Sequence, residues 1–270
     1  DLDEMKEVTG SETYFGGSYD KGEAHCHPLN YALGIAQAAL SANTKIYENS
    51  TVSSYDLSNS HVKVKTKSGS VKAERVVLAC NGYLGNLEKR LNSKLLPMNN
   101  YIVATKPLDN ETVAKINPRD IAFADSRFVI NYFRLSADKR LLFGGGENYS
   151  QELTKNIIPI VTKPLEKIYP FLKDIKIDYA WGGKLALTMN RLPFYKEMNK
   201  GKVLSAQGYS GQGVALASYS GKVIAEKITG DGEMFDTMAN IPMQSFPGGR
   251  FLRNPTMKIG MFYHALLDRL

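Results

Sequence analysis

The chain has 270 residues, 43% of them hydrophobic and 23% charged, with a formal net charge of +7. That length suits one large domain or two interleaved ones around a buried core, and the composition is ordinary for a globular protein. No apolar run approaches the roughly 18 residues that a membrane-spanning helix needs, and the acidic start Asp1-Leu2-Asp3-Glu4 lacks the basic and apolar regions of a signal peptide. A cytoplasmic setting with no membrane partner is the expectation.

The pI near 9.2 raises nucleic acid as a partner class. The lysines are spread along the chain and form no stripe, so a solvated surface with mild attraction for anionic ligands is expected instead. Cys26 and Cys80 give neither a disulfide framework nor a C-x-x-C pair, and both are expected to be reduced, buried thiols. His25 and His27 stand two apart without an identifiable third ligand, so no metal centre is expected.

Residues 12–25, with Tyr14, Phe15, Gly16, Gly17 and Tyr19, read as aromatic strand or loop. Pro28 suits a first helical turn, where its missing N–H costs nothing. Leu29, Ala32, Leu33, Ala36 and Leu40 then recur at helical spacing, predicting a helix over 28–42 with one apolar face. The period next shortens to that of strands at 51–56, 61–66 and 71–73, the last two joined as a hairpin across 67–70. The run Arg75-Val76-Val77-Leu78-Ala79-Cys80 predicts a central strand buried on both faces, ending at Asn81-Gly82.

From 86 to 185 the character changes. Strands are predicted at 99–106, 121–124, 128–135 and 140–145, with a helix near 110–117. The stretch 153–172 reads as a helix kinked or split by Pro159 and Pro164, and 175–188 as strand. This block predicts an antiparallel α+β insert rather than more of a parallel sheet. A short buried strand over 202–206 leads into Gly208-Tyr209-Ser210-Gly211-Gln212-Gly213, then a helix over 214–228 that stops at Gly230. A connection containing Pro242, Pro247 and Gly248-Gly249 precedes an amphipathic helix over 256–270.

The strongest chemical signal is the strand, glycine turn and helix at 202–228. Its three glycines in six residues let backbone N–H groups approach a ligand, and the helix start adds partial positive charge. The same glycines equally suit a bare strand-to-helix turn. A G-x-G-x-x-G fingerprint with an acidic residue about 20 positions on occurs nowhere in the chain.

Three stretches carry a resemblance. They are Gly16-Gly17-Ser18-Tyr19-Asp20 with His27-Pro28-Leu29; Val76 to Gly85 (VVLACNGYLG); and Trp181-Gly182-Gly183 through Thr188-Met189-Asn190-Arg191-Leu192-Pro193 to Gln207–Ala215 (QGYSGQGVA). In order and spacing they resemble the D-amino-acid-oxidase-like (DAO) superfamily of FAD enzymes. The gamma-glutamylputrescine oxidase branch also shares Phe246-Pro247-Gly248-Gly249 and the Leu-x-Asp-Arg-Leu ending.

The resemblance implies an α/β plus α+β fold: a partial Rossmann-like FAD domain of the glutathione-reductase type, interleaved with a mixed-sheet substrate domain. Segments 28–85 and 186–235 then belong to the FAD side, 1–27 and 86–185 to the substrate side, and 236–270 forms a tail and helix. FAD is the implied cofactor. Val52, Ala79, Asn81 and Gly82 are carried over to its adenosine half. Gly208, Tyr209, Ser210, Gly211, Gln212, Gly213 and Val214 are carried over to the flavin ring and ribityl chain.

The implied reaction removes a hydride from the carbon beside an amine, with oxygen as final acceptor and a small amine or amino acid as substrate. Arg191 is the candidate for orienting a substrate carboxylate, because a guanidinium binds it bidentately. Trp181 and Tyr209 are candidate pocket walls, and Asn131, Tyr132 and Arg134 are weaker candidates on a substrate-side strand. His27 reads as a helix cap or a satisfied core residue rather than a catalytic base. Gln212 stands where several relatives carry a histidine. The family's first strand and its glycine turn have no counterpart, so the sequence reads as a fragment with an unpaired sheet edge. The rival reading is a non-catalytic remnant or binding domain that holds no FAD.

Overall fold

A computed structural model describes residues 1–249 apart from 59, 128 and 147–151, together with 252, 255 and 259. The helix predicted over 256–270 falls almost wholly outside these residues. Asp1 starts α1 (Leu2–Thr9), its carboxylate accepting the Glu4 N–H at 2.9 Å. This helix carries no strong periodic signal and is absent from the sequence expectation. Helix α2 (Pro28–Ser41) begins at the expected proline.

Strands β1 (Val52–Leu57), β2 (Val62–Thr66) and β3 (Ser70–Ala73) form an antiparallel meander, with Lys65 opposite Ser70 across the hairpin. Strand β4 (Val76–Leu78), helix α3 (Lys89–Asn92) and strand β5 (Leu96–Thr105) follow. Then come α4 (Asn110–Ile116), β6 (Phe123–Ala124), β7 (Tyr132–Leu135) and β8 (Leu141–Gly144). After α5 (Ile158–Ile168) and β9 (Ile177–Leu187), the chain makes β10 (Phe194–Met198) and β11 (Val203–Gln207). Helices α6 (Gly213–Thr229) and α7 (Glu233–Ala239) complete the described elements.

These elements divide between two units, and the chain passes from one to the other after Ala32, Met98 and Gly183. The sequence expectation places the corresponding passages after 27, 85 and 185. The first unit holds a five-stranded sheet in the order β6-β7-β8-β5-β9, in which β6, β7, β8 and β5 pair antiparallel. Its core is aromatic: Phe133 stacks on Phe143 at 5.4 Å and meets Tyr169 edge-on at 5.7 Å. Val161, Leu165 and Ile168 turn one face of α5 into that core. The predicted split of this helix does not occur. Pro159 falls in the first turn, where it removes no helical hydrogen bond, and the helix continues through Pro164.

The second unit holds the meander and a three-stranded sheet in the order β10-β11-β4. Strand β11 is buried along all five residues, antiparallel to β10 and parallel to β4. Here the expectation for Arg75–Cys80 is corrected. Only Val76–Leu78 form a strand, β11 is their sole partner among the described residues, and Val77 is 39% exposed. Among the described residues β4 has one unpaired edge, the open sheet edge that the resemblance led us to expect. Strand β10 escapes the sequence expectation because Lys196 and Glu197 interrupt its apolar run. Helix α6 packs through Ser220, Val223 and Ile224 and ends on Gly230 in the left-handed conformation.

Two further expectations change. Helix α2 buries no residue, and its apolar side is bare, with Leu29 at 62% and Leu33 at 59% exposure. Cys26 is exposed rather than buried, whereas Cys80 is half-buried and burial pushes its thiol pKa up. No helix among the described residues is long and apolar enough to cross a membrane.

Candidate functional site

The candidate site belongs to the second unit and is built from the parallel pairing of β4 with β11. Leu78 lies opposite Ser205, so the chain leaves both strands at one end, three residues later, at Asn81 and Gly208. There the Gly208 N–H donates to Asn81 Oδ1 at 3.0 Å. Asn81 holds a left-handed backbone, φ 46°, at the start of a short 3-10 turn through Tyr83, a conformation that asparagine tolerates better than most residues.

Gly208 is a steric requirement. Its φ is 76°, and a Cβ there would lie 2.5 Å from Thr188 Cγ2 and 2.9 Å from Leu95 Cδ2. Gly82 is equally confined, since a Cβ would meet the carbonyl oxygens of Lys184 at 2.7 Å and Leu185 at 2.9 Å. The Tyr83 hydroxyl accepts the Lys184 N–H at 2.9 Å beside it.

A second turn is fastened to the first. Ser210 donates its N–H to the Ala186 carbonyl at 3.0 Å, and its hydroxyl accepts the Thr188 N–H at 3.3 Å. Thr188 Oγ1 closes the 188–192 turn on the Leu192 carbonyl at 2.8 Å, and the Arg191 N–H reaches the Thr188 carbonyl at 3.3 Å. Arg191, with φ 63°, stands exposed at the tip, and no described residue pairs with its guanidinium. The structure thus brings Asn81, Gly82, Gly208, Ser210 and the Arg191 turn into one hydrogen-bonded cluster. Thr188, which fastens the two turns, is absent from the residues singled out by sequence; its place in the motif before Arg191 is the signal that could have found it.

The turn has an inner and an outer part. Tyr209 points inward, 7% exposed, with its hydroxyl on the Ala206 carbonyl at 2.9 Å and its pKa raised by burial. Its side chain is core, so the pocket-wall role expected of it is not where the structure puts it. Gly211 and Gln212 are exposed, Val214 is 52% exposed, and a Cβ on Gly211 would meet nothing within 4 Å. Gln212 caps α6 without a side-chain hydrogen bond. The N–H groups of Gly211, Gly213, Val214 and Ala215 find no acceptor among the described residues. Free N–H groups at a helix start, facing open space, fit the electron-rich edge or phosphates of a flavin nucleotide. Behind them Gln207 is fully buried, donating to Ser205 Oγ at 2.8 Å, with its own Oε1 unpaired among the described residues.

The remaining candidates lie elsewhere. Val52 opens β1 opposite Thr66 in the separate meander, and Ala79 is exposed just beyond β4. Trp181 lies on the first-unit part of β9 and is 44% exposed. Asn131 is 3% exposed and bonded to Asp125, Tyr132 bonds Asn100, and Arg134 holds the carbonyls of Cys26 at 2.7 Å and Leu135 at 3.0 Å. Each of these three has a structural partner. His27 Nδ1 accepts the Asn30 N–H at 3.3 Å, a cap on α2.

Comparison with known proteins identifies the group to which this geometry belongs. The family profile described as FAD dependent oxidoreductase (DAO) matches residues 1–227. The whole chain aligns at 36% identity with gamma-glutamylputrescine oxidoreductase of Escherichia coli, covering 63% of that protein. It aligns at 35% identity with the probable oxidoreductase OrdL of Haemophilus influenzae, covering 62% of that protein. The chain therefore spans less than two thirds of the length of these relatives. Among solved structures, glycine oxidase of Geobacillus kaustophilus matches 73% of this chain and 53% of its own, with a TM-score of 0.62 at 20% identity. L-proline dehydrogenase of P. horikoshii matches 80% of this chain and 57% of its own, with a TM-score of 0.61 at 24% identity; these two likenesses concern the fold. A profile match over 1–227, carrying the glycine turn and the Arg191 turn together, makes this chain a member of the FAD dependent oxidoreductase (DAO) family.

Proposed function

We propose that the protein is an FAD-dependent oxidoreductase acting on the CH–NH bond of a small amine that also bears a carboxylate, with oxygen as acceptor. A gamma-glutamylated polyamine is the substrate class we favour, because the Escherichia coli relative is named for gamma-glutamylputrescine. One observation carries the reading: Ser210 fastens the turn bearing the unpaired Arg191 guanidinium to the glycine turn with its free N–H groups.

The chemistry that FAD supplies when bound is acceptance of a hydride from the carbon beside the amine. This chain's residues do the holding. The open N–H groups at the start of α6 stabilise negative charge on a bound group without reorganising. Asn81 takes up the Gly208 N–H and fixes the turn's first residue, leaving the outer N–H groups for ligand. Arg191 grips the carboxylate and orients the amine, an effect expressed in rate through positioning. Gln212 can hydrogen-bond but shuttles no proton at neutral pH, so the amine must arrive uncharged by another route. Val52 and Ala79 are assigned to the adenosine half, and Trp181 to the substrate side.

The test uses the full-length protein, read first by visible absorbance for flavin and then by peroxide release with gamma-glutamylputrescine under air. Arg191→Ala is expected to raise KM by tenfold or more, since a charge-assisted bond contributes about 1.5–3 kcal/mol, while the flavin dissociation constant stays within twofold. A preparation that remains colourless after incubation with FAD overturns the cofactor reading. Unchanged KM in the variant removes Arg191 from the site.

A further inference from the structure

The two faces of the first unit's sheet differ in how far they are covered. Tyr101, Val103, Phe133 and Phe143 point into the aromatic core and are at most 4% exposed. Side chains alternate along a strand, so Asn100, Ile102, Tyr132, Arg134 and Leu142 share the opposite face, and all five are half-buried. Strand β9 adds Trp181 to them. A Cβ on Gly182 would lie 2.6 Å from Tyr101 Cδ1 and 3.0 Å from the Asn100 carbonyl oxygen. Gly182 therefore looks towards the core beside β5, and Trp181, one residue earlier and 44% exposed, looks the other way.

Tyr132 lies across this half-open face. Gly144 stands opposite both Tyr132 and Ile102, and a Cβ on Gly144 would fall within the Tyr132 ring, so the bare glycine is what lets the ring cross β8. The Tyr132 hydroxyl then donates to Asn100 Oδ1 on β5. That bond fixes the amide. Its oxygen is spent, and its Nδ2 has no acceptor among the described residues. The other polar side chain of the face, Arg134, is committed to the carbonyls of Cys26 and Leu135. What remains is one oriented, uncharged donor among Ile102, Leu142 and Trp181.

An uncharged N–H suits a neutral carbonyl, whereas a carboxylate taken out of water is held best by charged donors. We propose that Asn100 recognises the amide carbonyl of an acylated polyamine, with Tyr132 as the positioning residue that aims its Nδ2 and Trp181 lying along the methylene chain. The substrate class rests on the oxidase reading above. The amide donor is a separate element, since that reading engages only the amine and the carboxylate.

The probes are gamma-glutamylbutylamide, which lacks the terminal amine of gamma-glutamylputrescine, and 2-aminodecanoate, in which two methylenes replace the amide of the first. Both are titrated calorimetrically into the full-length protein and its Asn100→Asp and Tyr132→Phe variants. The unsubstituted protein should bind the amide about fivefold or more tighter than its hydrocarbon isostere, the worth of one hydrogen bond. Asn100→Asp keeps an acceptor for the Tyr132 hydroxyl but offers no donor, and Tyr132→Phe keeps the ring but lets the amide turn. Each should erase the preference. A purely structural role would weaken both probes together and leave their ratio unmoved. Equal affinities in the unsubstituted protein, or a preference that survives Asn100→Asp, overturn the proposal, and one that survives Tyr132→Phe overturns the positioning role. Peroxide release from gamma-glutamylputrescine is read separately. Peroxide without an amide preference sinks this inference alone, whereas a colourless protein that binds neither probe sinks the oxidase reading with it.

Discussion

Alanine at Gly208 meets two obstacles that can be separated experimentally. The backbone there has φ 76°, and a left-handed conformation costs an ordinary residue about 1–2 kcal/mol. The new methyl would also lie 2.5 Å from Thr188 Cγ2 and 2.9 Å from Leu95 Cδ2. Thr188 is 2% and Leu95 1% exposed, so neither can swing into solvent, and overpacking of this kind adds about 1–3 kcal/mol. Gly211→Ala isolates the first term: φ is 101° and no heavy atom lies within 4 Å of the added carbon. With a urea slope of about 2 kcal/mol per molar, the steric term alone should set the Gly208→Ala midpoint about 0.5–1.5 M below that of Gly211→Ala. Far-UV circular dichroism in urea, with hydrogen exchange at the β11 amides to localise the loss, measures it. Coincident midpoints would refute the steric reasoning, since both variants share the backbone cost. Flavin binding should rank them the other way, because the Gly211 methyl would occupy open space on the exposed outer part of the turn.

Asn81→Ala leaves the Gly208 N–H without its acceptor and should destabilise by about 1–2 kcal/mol, whereas Asn81→Asp keeps an acceptor oxygen and should cost less; calorimetric melting of both variants checks the order. The N–H and hydroxyl of Thr112 hold the Asp109 carboxyl below its ordinary pKa, and Arg140 with Lys176 does the same for Asp178. Folded values below unfolded ones mean that both contributions are complete above the usual carboxylate range of about 4 and disappear as pH falls through the folded values. The melting temperature of the first unit should therefore be level from neutrality to about pH 5 and drop below about pH 4. Asp109→Asn keeps the cap but not the proton uptake, so it should flatten that acid limb, and an unaltered limb would count against Asp109.

Local periodicity was enough to show most of the fold. The meander, α2, α4, α6 and the antiparallel block each rest on spacing or turn chemistry visible within some ten residues. Strand β4 is shorter than its apolar run, because such a run reports how apolar a segment is, not how far it pairs. Helix α1 and strand β10 depend on tertiary burial that their charged residues conceal. In the candidate site, glycine density marks the turn, and the resemblance with the chemistry of a guanidinium puts Arg191 forward. Tyr209 went astray for a general reason: sequence gives a residue's place on the chain, but a single torsion decides whether its ring faces core or ligand. The Ser210–Thr188 fastening was illegible because it joins residues 22 positions apart through hydroxyls too common to stand out.

The repeated passage of the chain between units, after Ala32, Met98 and Gly183, has a practical corollary. Neither unit corresponds to a contiguous stretch of gene, so serial deletion from either end removes parts of both before isolating one. A lone nick at any passage likewise separates pieces of units rather than whole ones. Obtaining either unit alone calls for splicing, with a designed linker replacing the excised excursion, and among the described residues the passages after Ala32, Met98 and Gly183 mark where joints belong.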